Sequence, residues 1–467
     1  MKFYRKICYI LCAVMLLQVF LMPAFADEEV TDVSVISGCN GIDGKVPLLG
    51  SAKLVENTQS AVVLEASTGT LLHTWNPDQQ VHPAGLVKIL TALIAIENGN
   101  LQDAVTVRQE VLEEISEGVR TSELQPDEVL TLEQLLYCLM VEGSNDAALV
   151  IADHIAGSQA AFVEKMNAYA QELGCTGSNF TNVHGLHDDQ QLTTARDVAR
   201  ILYRAIQNET FVTLFSAVDY EMAATNKSEP RIMATSNHMM HTSLYEIYYD
   251  SRITGGRTGV NNMGLNHIAT TSQQDSMTVI CVVLGCESKV NERDIVEKIG
   301  GFGETSQLLD LVFEHYTTSQ LFYEGQALKQ YSVSNGISDV VVGPQVSFSS
   351  VVPKDPASGA LTFQYKDIES AFDAPVDAGR RMGTVEVWCG SVCLSQVDLF
   401  ALNDVALNYQ IVESKNGVGL PWWGVVLIVI LVIGGGAAGY VFFLRYRNIK
   451  KADRKRRIAR TATGRRH

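Results

Sequence analysis

The segment at residues 422–444, WWGVVLIVILVIGGGAAGYVFFL, most constrains how this chain can fold, because its 23 residues carry no charge. At about 1.5 Å per residue, a helix of this length crosses a hydrocarbon core of roughly 30 Å. The tail at residues 445–467 contains eleven Lys and Arg residues and one acidic residue, which is the charge bias of a cytoplasmic flank. The pattern therefore predicts one C-terminal transmembrane helix, with the tail in the cytoplasm and the preceding chain outside.

The first 26 residues have the layout of a secretory signal peptide. Three basic residues precede an apolar run, and the small-residue sequence AFA ends at Ala26. We therefore exclude residues 1–26 from the fold. We expect residues 27–54 to form a leader and residues 411–421 to form a juxtamembrane linker.

The exported part of the chain is strongly acidic. Outside the signal peptide and the tail, it contains 22 Lys and Arg residues against 51 Asp and Glu residues, a net charge of about −29. Such a surface repels the phosphates of nucleic acids. The charge therefore argues against a nucleic-acid partner.

The pattern of apolar residues divides the exported part into two regions. From about residue 55 to residue 318, strand-like runs such as MTVICVVLG alternate with helical runs such as NDAALVIADHIAG, which is typical of an α+β domain. From residue 319 to residue 410, short alternating runs lie between Gly, Pro and Asp turns. This second pattern predicts a small all-β domain.

Seven of the nine cysteines follow the signal peptide, and the closest pair is Cys389 and Cys393. A turn at residues 390–391 would pair Cys389 with Val392 across a hairpin and place Cys393 on the opposite face of the sheet. That geometry disfavours a disulfide between the two. Since no second Cys or His pair lies at ligand spacing, the sequence predicts neither a metal site nor a cofactor.

The helical segment HPAGLVKILTALIAIENGN is apolar on nearly every face except at Lys88. A buried ammonium costs several kcal/mol unless it is paired or used in chemistry. The residue one turn before it, where a partner would stand, is Gly85. The helix thus predicts a special role for its lysine.

Four segments follow one another in the order HPAGLVKILTA, TLEQLLYCLMVEGSNDAALV, NVHGLHDDQQLTTARD and ITGGRTGVNNMGLNHIAT. Together they resemble the serine D-alanyl-D-alanine carboxypeptidases, which are low-molecular-weight penicillin-binding proteins of the bacterial cell wall. The later segment DAPVDAGRRMGTVEVWCGSVCLSQVDLF resembles the C-terminal domain of the same family. The resemblance implies a β-lactamase/transpeptidase-like domain, an antiparallel sheet with helices, on the outer side of a bacterial cell membrane.

That family works through three motifs around one cleft: a Ser-x-x-Lys helix start, a Ser-x-Asn loop and a Lys-Thr-Gly strand. The resemblance implies that Lys88 is the general base, which would explain a lysine in an apolar helix. The position of the nucleophile is occupied by Gly85. Glycine has no side chain that a peptide or a penicillin could acylate.

The second motif also differs from the family pattern. Aligned on the sequence NDAA, Gly143 takes the place of the serine that relays protons, and Asn145 matches the motif asparagine. Ser144 occupies the variable middle position. It would replace the missing serine only after a shift of the loop.

The third motif reads Arg257, Thr258 and Gly259, with arginine in the place of lysine. Arginine does not act as a base, but its planar guanidinium suits a carboxylate. The resemblance therefore implies that this strand still binds the terminal carboxylate of a substrate peptide.

These departures leave three hypotheses for the function. The first is a membrane-anchored, catalytically impaired family member that binds peptidoglycan stem peptides ending in D-Ala-D-Ala, or partner proteins of the cell wall. The second is an active serine-type D,D-carboxypeptidase that uses Ser144 or a water activated by Lys88. The third is a non-catalytic envelope scaffold with a vestigial cleft.

The charge bias around residues 422–444 generates a prediction of topology. Protease added outside intact protoplasts should digest the chain up to about residue 420 and spare an epitope placed after His467. Immunoblotting of the epitope measures this, with detergent-permeabilised cells as the control. Digestion of the epitope in intact protoplasts would reverse the predicted orientation.

Overall fold

The computed structural model describes residues 41–44, 46–242, 246–290, 296–355, 360–368 and 371–409, and part of the segment 422–447. The described chain divides into two compact units. The larger unit contains the described residues of Met1–Lys329, Val342–Glu369 and Gly379–Leu402, and the smaller unit contains those of Gln330–Val341, Ser370–Ala378 and Asn403–His467.

Helices and strands alternate as far as residue 315, and strands predominate among the described residues that follow. The helices are α1 (Val87–Asn98), α2 (Gln109–Leu112), α3 (Leu132–Tyr137), α4 (Asn145–Ala156), α5 (Gln159–Glu172), α6 (Ala195–Ala205), α7 (Glu209–Ser216) and α8 (Phe302–His315), with 3-10 turns at Ala84–Leu86 and Glu246–Tyr248 and a π-helical turn at Cys138–Glu142. The strands are β1 (Ser60–Glu65), β2 (Leu71–Trp75), β3 (Ala104–Thr106), β4 (Val129–Thr131), β5 (Asp219–Met222), β6 (Arg231–Ala234), β7 (Ile253–Val260), β8 (Leu265–Gln274), β9 (Met277–Glu287), β10 (Lys289–Val290), β11 (Val296–Lys298), β12 (Tyr316–Phe322), β13 (Lys329–Tyr331), β14 (Val333–Ser334), β15 (Val340–Gly343), β16 (Phe348–Pro353), β17 (Leu361–Lys366), β18 (Phe372–Asp373), β19 (Arg381–Cys389) and β20 (Val392–Ala401).

A five-stranded antiparallel sheet with the order β2-β1-β9-β8-β7 lies at the centre of the larger unit. Ile280 and Val282 of β9 belong to the core that contains α1, whereas Cys281 and Val283 belong to the core that contains α8. Successive side chains of a strand point to opposite faces, so helices cover both faces of this sheet. Burial on both faces explains the nearly continuous apolar sequence of β9.

Helix α1 is buried along most of its length, which explains its apolar sequence on every face. It follows Pro83 and the 3-10 turn Ala84–Leu86, and it ends at Gly99. Strand β7 is the edge strand of the central sheet. The candidate site lies where this edge strand meets the start of α1.

The strands after α8 form the predicted all-β region. In the larger unit, β15, β20, β19 and β17 form an antiparallel array, and β12 pairs with β16. In the smaller unit, β14 and β18 pair in parallel. Together with the helix-covered sheet, this arrangement confirms the predicted fold class, an α+β domain followed by an all-β domain.

The hairpin between β19 and β20 has the predicted register. Cys389 pairs with Val392 across the turn, and Cys389 is a free thiol, whereas Cys393 is disulfide-bonded. The prediction that these two cysteines do not bridge each other is therefore confirmed.

The predicted terminal segments fall largely outside the described residues. This holds for the signal peptide, for most of the leader and for nearly all of the basic tail, while the segment 422–444 is described in part. Within the part of the chain that the structure describes, no helix is both long enough and apolar enough to cross a membrane. The transmembrane helix thus stays a sequence-based prediction.

Candidate active site

The ammonium of Lys88 has two hydrogen-bond acceptors in the structure. Lys88 is 3% exposed and lies in the first turn of α1. Its Nζ donates to Oδ1 of Asn145 at 2.7 Å and to the backbone carbonyl of His184. The structure therefore brings two of the predicted site residues together, and it adds a backbone acceptor that sequence reasoning missed.

The surroundings of Lys88 favour its neutral form. Burial lowers the pKa of the Lys88 amine well below its ordinary value, and the positive charges of Arg257 and Arg120 lower it further, whereas Asp146 opposes the shift. Burial, together with Lys88, also lowers the pKa of His184 to about 3. A neutral amine has the protonation state that a general base requires.

Gly85 lies in the 3-10 turn before α1 and touches the backbone of β7. A Cβ atom added to Gly85 would lie 2.9 Å from the carbonyl oxygen of Thr258 and 3.5 Å from Cα of Gly259. A Cβ added to Gly259 would in turn lie 2.5 Å from the nitrogen of Gly85. The helix start and the edge strand thus approach each other closely at two glycines, and a side chain at position 85 would require the backbone of β7 or of the helix start to shift.

Arg257 fills the space beside Gly143. Gly143 has a φ of +84°, and a Cβ added there would overlap the Arg257 guanidinium and lie 2.9 Å from its Cζ. Arg257 is 4% exposed, and its Nη1 donates to the carbonyl of Met140 at 3.1 Å. The guanidinium therefore occupies the volume that a side chain at position 143 would need.

Burial also affects the charge of Arg257. It lowers the pKa of the guanidinium to about 10, and the nearby charge of Arg120 contributes to the shift. The guanidinium still carries its charge at neutral pH. Arg120 itself donates to the carbonyl of Glu142 at 3.0 Å, so the site places three basic side chains close together.

The hydroxyl of Ser144 is engaged away from Lys88. Ser144 is fully buried, and its Oγ donates to the carboxylate of Asp146 and accepts from the N–H of Ser122 at 2.9 Å. The Asp146 carboxylate also accepts from the N–H of Leu124 at 3.0 Å. This network positions the segment at residues 122–124 against the start of α4, a role that the sequence analysis did not assign.

Thr258 and Arg257 lie on opposite faces of β7, because side chains alternate along a strand. The hydroxyl of Thr258 lies 3.0 Å from that of Ser236. Thr258 and Ser236 both line an open cavity of about 930 Å³ that also contacts Phe302 at the start of α8. The backbone of Thr258, Gly259 and the guanidinium of Arg257 therefore all approach Gly85, whereas the side chain of Thr258 faces this cavity.

Among the described residues, the arrangement offers a buried amine and a buried guanidinium, and the hydroxyl of Ser144 is engaged elsewhere. Across the described residues, no group of three or more His, Cys, Asp or Glu side chains is placed to hold a metal ion. Lys88 and Arg257 both have neutral carbonyl oxygens as acceptors. Chemically, the site is suited to accepting an anion.

The overlap between Arg257 and position 143 can be tested by unfolding. We expect Gly143→Ala to lower the free energy of unfolding by about 2–4 kcal/mol, because the methyl group adds overpacking to the strain of a positive φ. Gly118→Ala is the matched control, since Gly118 has a φ of +78° and no neighbouring atom within 4 Å of the added Cβ. The control should cost about 1 kcal/mol, as measured by urea denaturation.

The same measurement in an Arg257→Ala background isolates the guanidinium. There, Gly143→Ala should cost no more than Gly118→Ala does. Equal costs for the two glycine variants in the parent protein would contradict the assignment of Arg257 to the space beside Gly143.

Comparisons with known proteins give this geometry its context. Residues 51–288 match the family model described as D-alanyl-D-alanine carboxypeptidase, and residues 316–407 match that of the penicillin-binding protein 5 C-terminal domain. The chain is 25% identical over 372 residues to the carboxypeptidase DacF of Bacillus subtilis, covering 76% of this chain and 87% of that protein. It is 27% identical over 356 residues to the carboxypeptidase DacC of Escherichia coli, covering 74% and 83%.

Solved structures show the same fold. Penicillin binding protein 5 from Haemophilus influenzae matches with a TM-score of 0.62 and 23% identity, over 76% of this chain and all of that chain. A peptidoglycan synthesis regulatory factor, PBP3, from Streptococcus pneumoniae matches with a TM-score of 0.60 and 21% identity, over 75% and 100% of the two chains. Because the family model alone covers more than half of the sequence, this chain belongs to the D-alanyl-D-alanine carboxypeptidase family.

Proposed function

We propose that this protein is a membrane-anchored, catalytically impaired member of its family that binds peptidoglycan stem peptides ending in D-Ala-D-Ala. The names of its relatives DacF and DacC give the substrate class. The observation that carries the impairment is the glycine at position 85, where the family pattern places the serine nucleophile. The uncharged segment at residues 422–444 supports the anchor.

The packing around Gly85 supports a loss of hydrolysis beyond the missing hydroxyl. Removing the serine from a serine hydrolase costs on the order of 10⁶ in turnover. Here a Cβ at position 85 would also lie 2.9 Å from the carbonyl oxygen of Thr258. A side chain at this position would therefore require the backbone of β7 to shift, in addition to restoring the missing hydroxyl.

The geometry of Ser144 favours impairment over an alternative nucleophile. A serine nucleophile needs a hydrogen bond to its base. The Ser144 hydroxyl instead donates to Asp146, and Lys88 donates to Asn145 and His184. These bonds would all have to change before Lys88 could activate Ser144.

The buried cation Arg257, which has no acid partner, supports retained binding of a carboxylate. Among the described residues, no carboxylate lies within ion-pair distance of Lys88 or Arg257, and Nε of Arg257 is buried without a hydrogen-bond partner. Leaving a charge buried and unpaired is costly. The terminal carboxylate of a stem peptide would supply the missing partner once the segment at residues 140–145 moves aside.

The first test of this proposal is acylation by a penicillin. After incubation with benzylpenicillin, intact-protein mass spectrometry should find no mass increase, whereas an active carboxypeptidase treated in parallel should gain one penicilloyl group. The physical reason is that a stable adduct requires an acylatable nucleophile. A penicilloyl group mapped to Ser144 would instead favour an active enzyme.

The second test addresses binding through Arg257. Calorimetry of the purified full-length protein should detect a D-Ala-D-Ala peptide, and Arg257→Ala should weaken its binding about 10-fold to 150-fold. A charge-assisted hydrogen bond of roughly 1.5–3 kcal/mol predicts this range. Amidation of the peptide's C-terminus should cause a similar loss in the parent protein and almost none in the variant.

Two results would overturn this part of the proposal. No binding to the parent protein at millimolar peptide would favour a non-catalytic scaffold with a vestigial cleft. Equal binding of the peptide by the parent protein and by Arg257→Ala would show that Arg257 does not bind the peptide's carboxylate.

A further inference from the structure

Most arginines before residue 410 are paired with acids. Of the ten that the structure describes there, seven form ion pairs with described carboxylates: Arg108, Arg196, Arg200, Arg204, Arg231, Arg252 and Arg381. Arg120 and Arg257 are two of the three exceptions. The exported chain carries 51 Asp and Glu residues against 22 Lys and Arg residues, so two neighbouring arginines without a described acid partner indicate a site for an outside anion.

Both arginines bond to the same short piece of chain, the π-helical turn Cys138–Glu142. Nη1 of Arg257 donates to the carbonyl of Met140 at 3.1 Å, and Nη1 of Arg120 donates to the carbonyl of Glu142 at 3.0 Å. A guanidinium bonds more strongly to a carboxylate than to a neutral carbonyl. Each of the two carbonyls is therefore an acceptor that a carboxylate can replace.

The backbone around Arg120 is held independently of its guanidinium. The carbonyl of Arg120 accepts from the N–H of Asn145 at 3.0 Å, and the N–H groups of Ser122 and Leu124 donate to the carboxylate of Asp146. The side chain of Arg120 is exposed. It therefore presents a positive charge to solvent from a fixed point beside the cleft.

The charge of Arg120 also acts on the two buried basic side chains of the cleft. Burial is the main cause of the lowered pKa of Lys88 and of Arg257, and the charge of Arg120 lowers both pKa values further. The guanidiniums of Arg120 and Arg257 therefore lie close enough to repel each other. A ligand that brings a negative charge to each of them would relieve that repulsion.

We propose that Arg120 is a specificity-determining residue that selects peptide ends with a second carboxylate, on the side chain of the last residue. This role of Arg120 rests on the carboxylate site proposed at Arg257. The terminal carboxylate replaces the carbonyl of Met140, and the side-chain carboxylate replaces that of Glu142. Residues two positions apart in a helical turn are separated by about 5 Å, and the two carboxyl carbons of a terminal Glu residue by a similar distance of about 5 Å.

The second carboxylate also affects the segment at residues 140–145, which must move aside before a ligand reaches Arg257. Both guanidiniums hold that segment through its carbonyls. A ligand with one carboxylate replaces one of these bonds, and the other bond still holds the turn. A dicarboxylate end replaces both bonds, so it binds more tightly than an end with one carboxylate.

The test uses two peptides that differ only in the charge of the last side chain, acetyl-Ala-D-Ala-D-Glu and acetyl-Ala-D-Ala-D-Gln. Calorimetry with the purified full-length protein should show that the D-Glu peptide binds about fivefold more tightly, as expected for an exposed ion pair. Arg120→Gln should remove this preference, because glutamine still donates to a carbonyl but carries no charge. Arg120→Lys should retain part of it.

Two controls distinguish a charge at Arg120 from a structural role. Added salt should weaken the preference for D-Glu in the parent protein, because the Arg120 side chain is exposed. Lys165→Gln is the matched charge control, since Lys165 is an exposed cation on α5 that forms no ion pair with any described residue. It should leave the preference unchanged.

The outcomes separate the role of Arg120 from the stem-peptide site. If acetyl-Ala-D-Ala-D-Ala binds through Arg257 but the D-Glu and D-Gln peptides bind equally, only the role of Arg120 is wrong. If the D-Glu peptide shows an Arg120-dependent preference and the D-Ala peptide does not bind, the dicarboxylate site stands and the proposed stem-peptide ligand is wrong. A preference for D-Glu that survives Arg120→Gln, or no binding of any of these peptides at millimolar concentration, would overturn the role of Arg120.

Discussion

The site depends on the contact between the buried guanidinium of Arg257 and the backbone of Gly143. Through its bond to the carbonyl of Met140, Arg257 holds the segment at residues 140–145 against the edge strand β7. That segment ends at Asn145, which accepts the hydrogen bond of Lys88. Strand β7 therefore helps to position Lys88, the candidate general base, through the guanidinium of Arg257 and the segment at residues 140–145. Removing the arginine would take away its hydrogen bond to Met140 and its contact with Gly143.

This contact links the residues at positions 143 and 257 sterically. A side chain at position 143 and the guanidinium of Arg257 exclude each other, because both need the same volume. A side chain at position 85 would place its Cβ 2.9 Å from the carbonyl oxygen of Thr258, so it would require β7 or the helix start to shift. A serine at either position would therefore require β7 or Arg257 to move. Positions 143 and 257 are interdependent in this structure, whereas position 85 is constrained separately by the backbone of β7.

Much of the fold and part of the site could be predicted from the sequence. The strand and helix runs, the register that pairs Cys389 with Val392 and the helix around Lys88 followed from local patterns. The carbonyl of His184 could not be predicted as an acceptor, because a backbone oxygen leaves no mark in residue type. The alternation of side chains along β7 could be predicted from the sequence. The residues that face its two sides, Gly143 and Phe302, could not be predicted, because they are far away in the sequence. The bond from Ser144 to Asp146, two residues along, did have a local signal, since serine at a helix start often bonds nearby.

The two buried basic side chains, Lys88 and Arg257, place different demands on a ligand. Lys88 can lose its charge, since burial and two arginines lower the pKa of its amine well below the ordinary value. Arg257 keeps its charge at neutral pH even with its pKa lowered to about 10. An anionic ligand would therefore balance the charge of Arg257. An incoming carboxylate must compete there with the carbonyl of Met140 and displace the segment at residues 140–145. Because the same segment carries Asn145, filling the cleft at Arg257 also changes the hydrogen bonding of Lys88. If a carboxylate binds at Arg257 as proposed, its binding and the hydrogen bonding of Lys88 would therefore be coupled through one short stretch of chain.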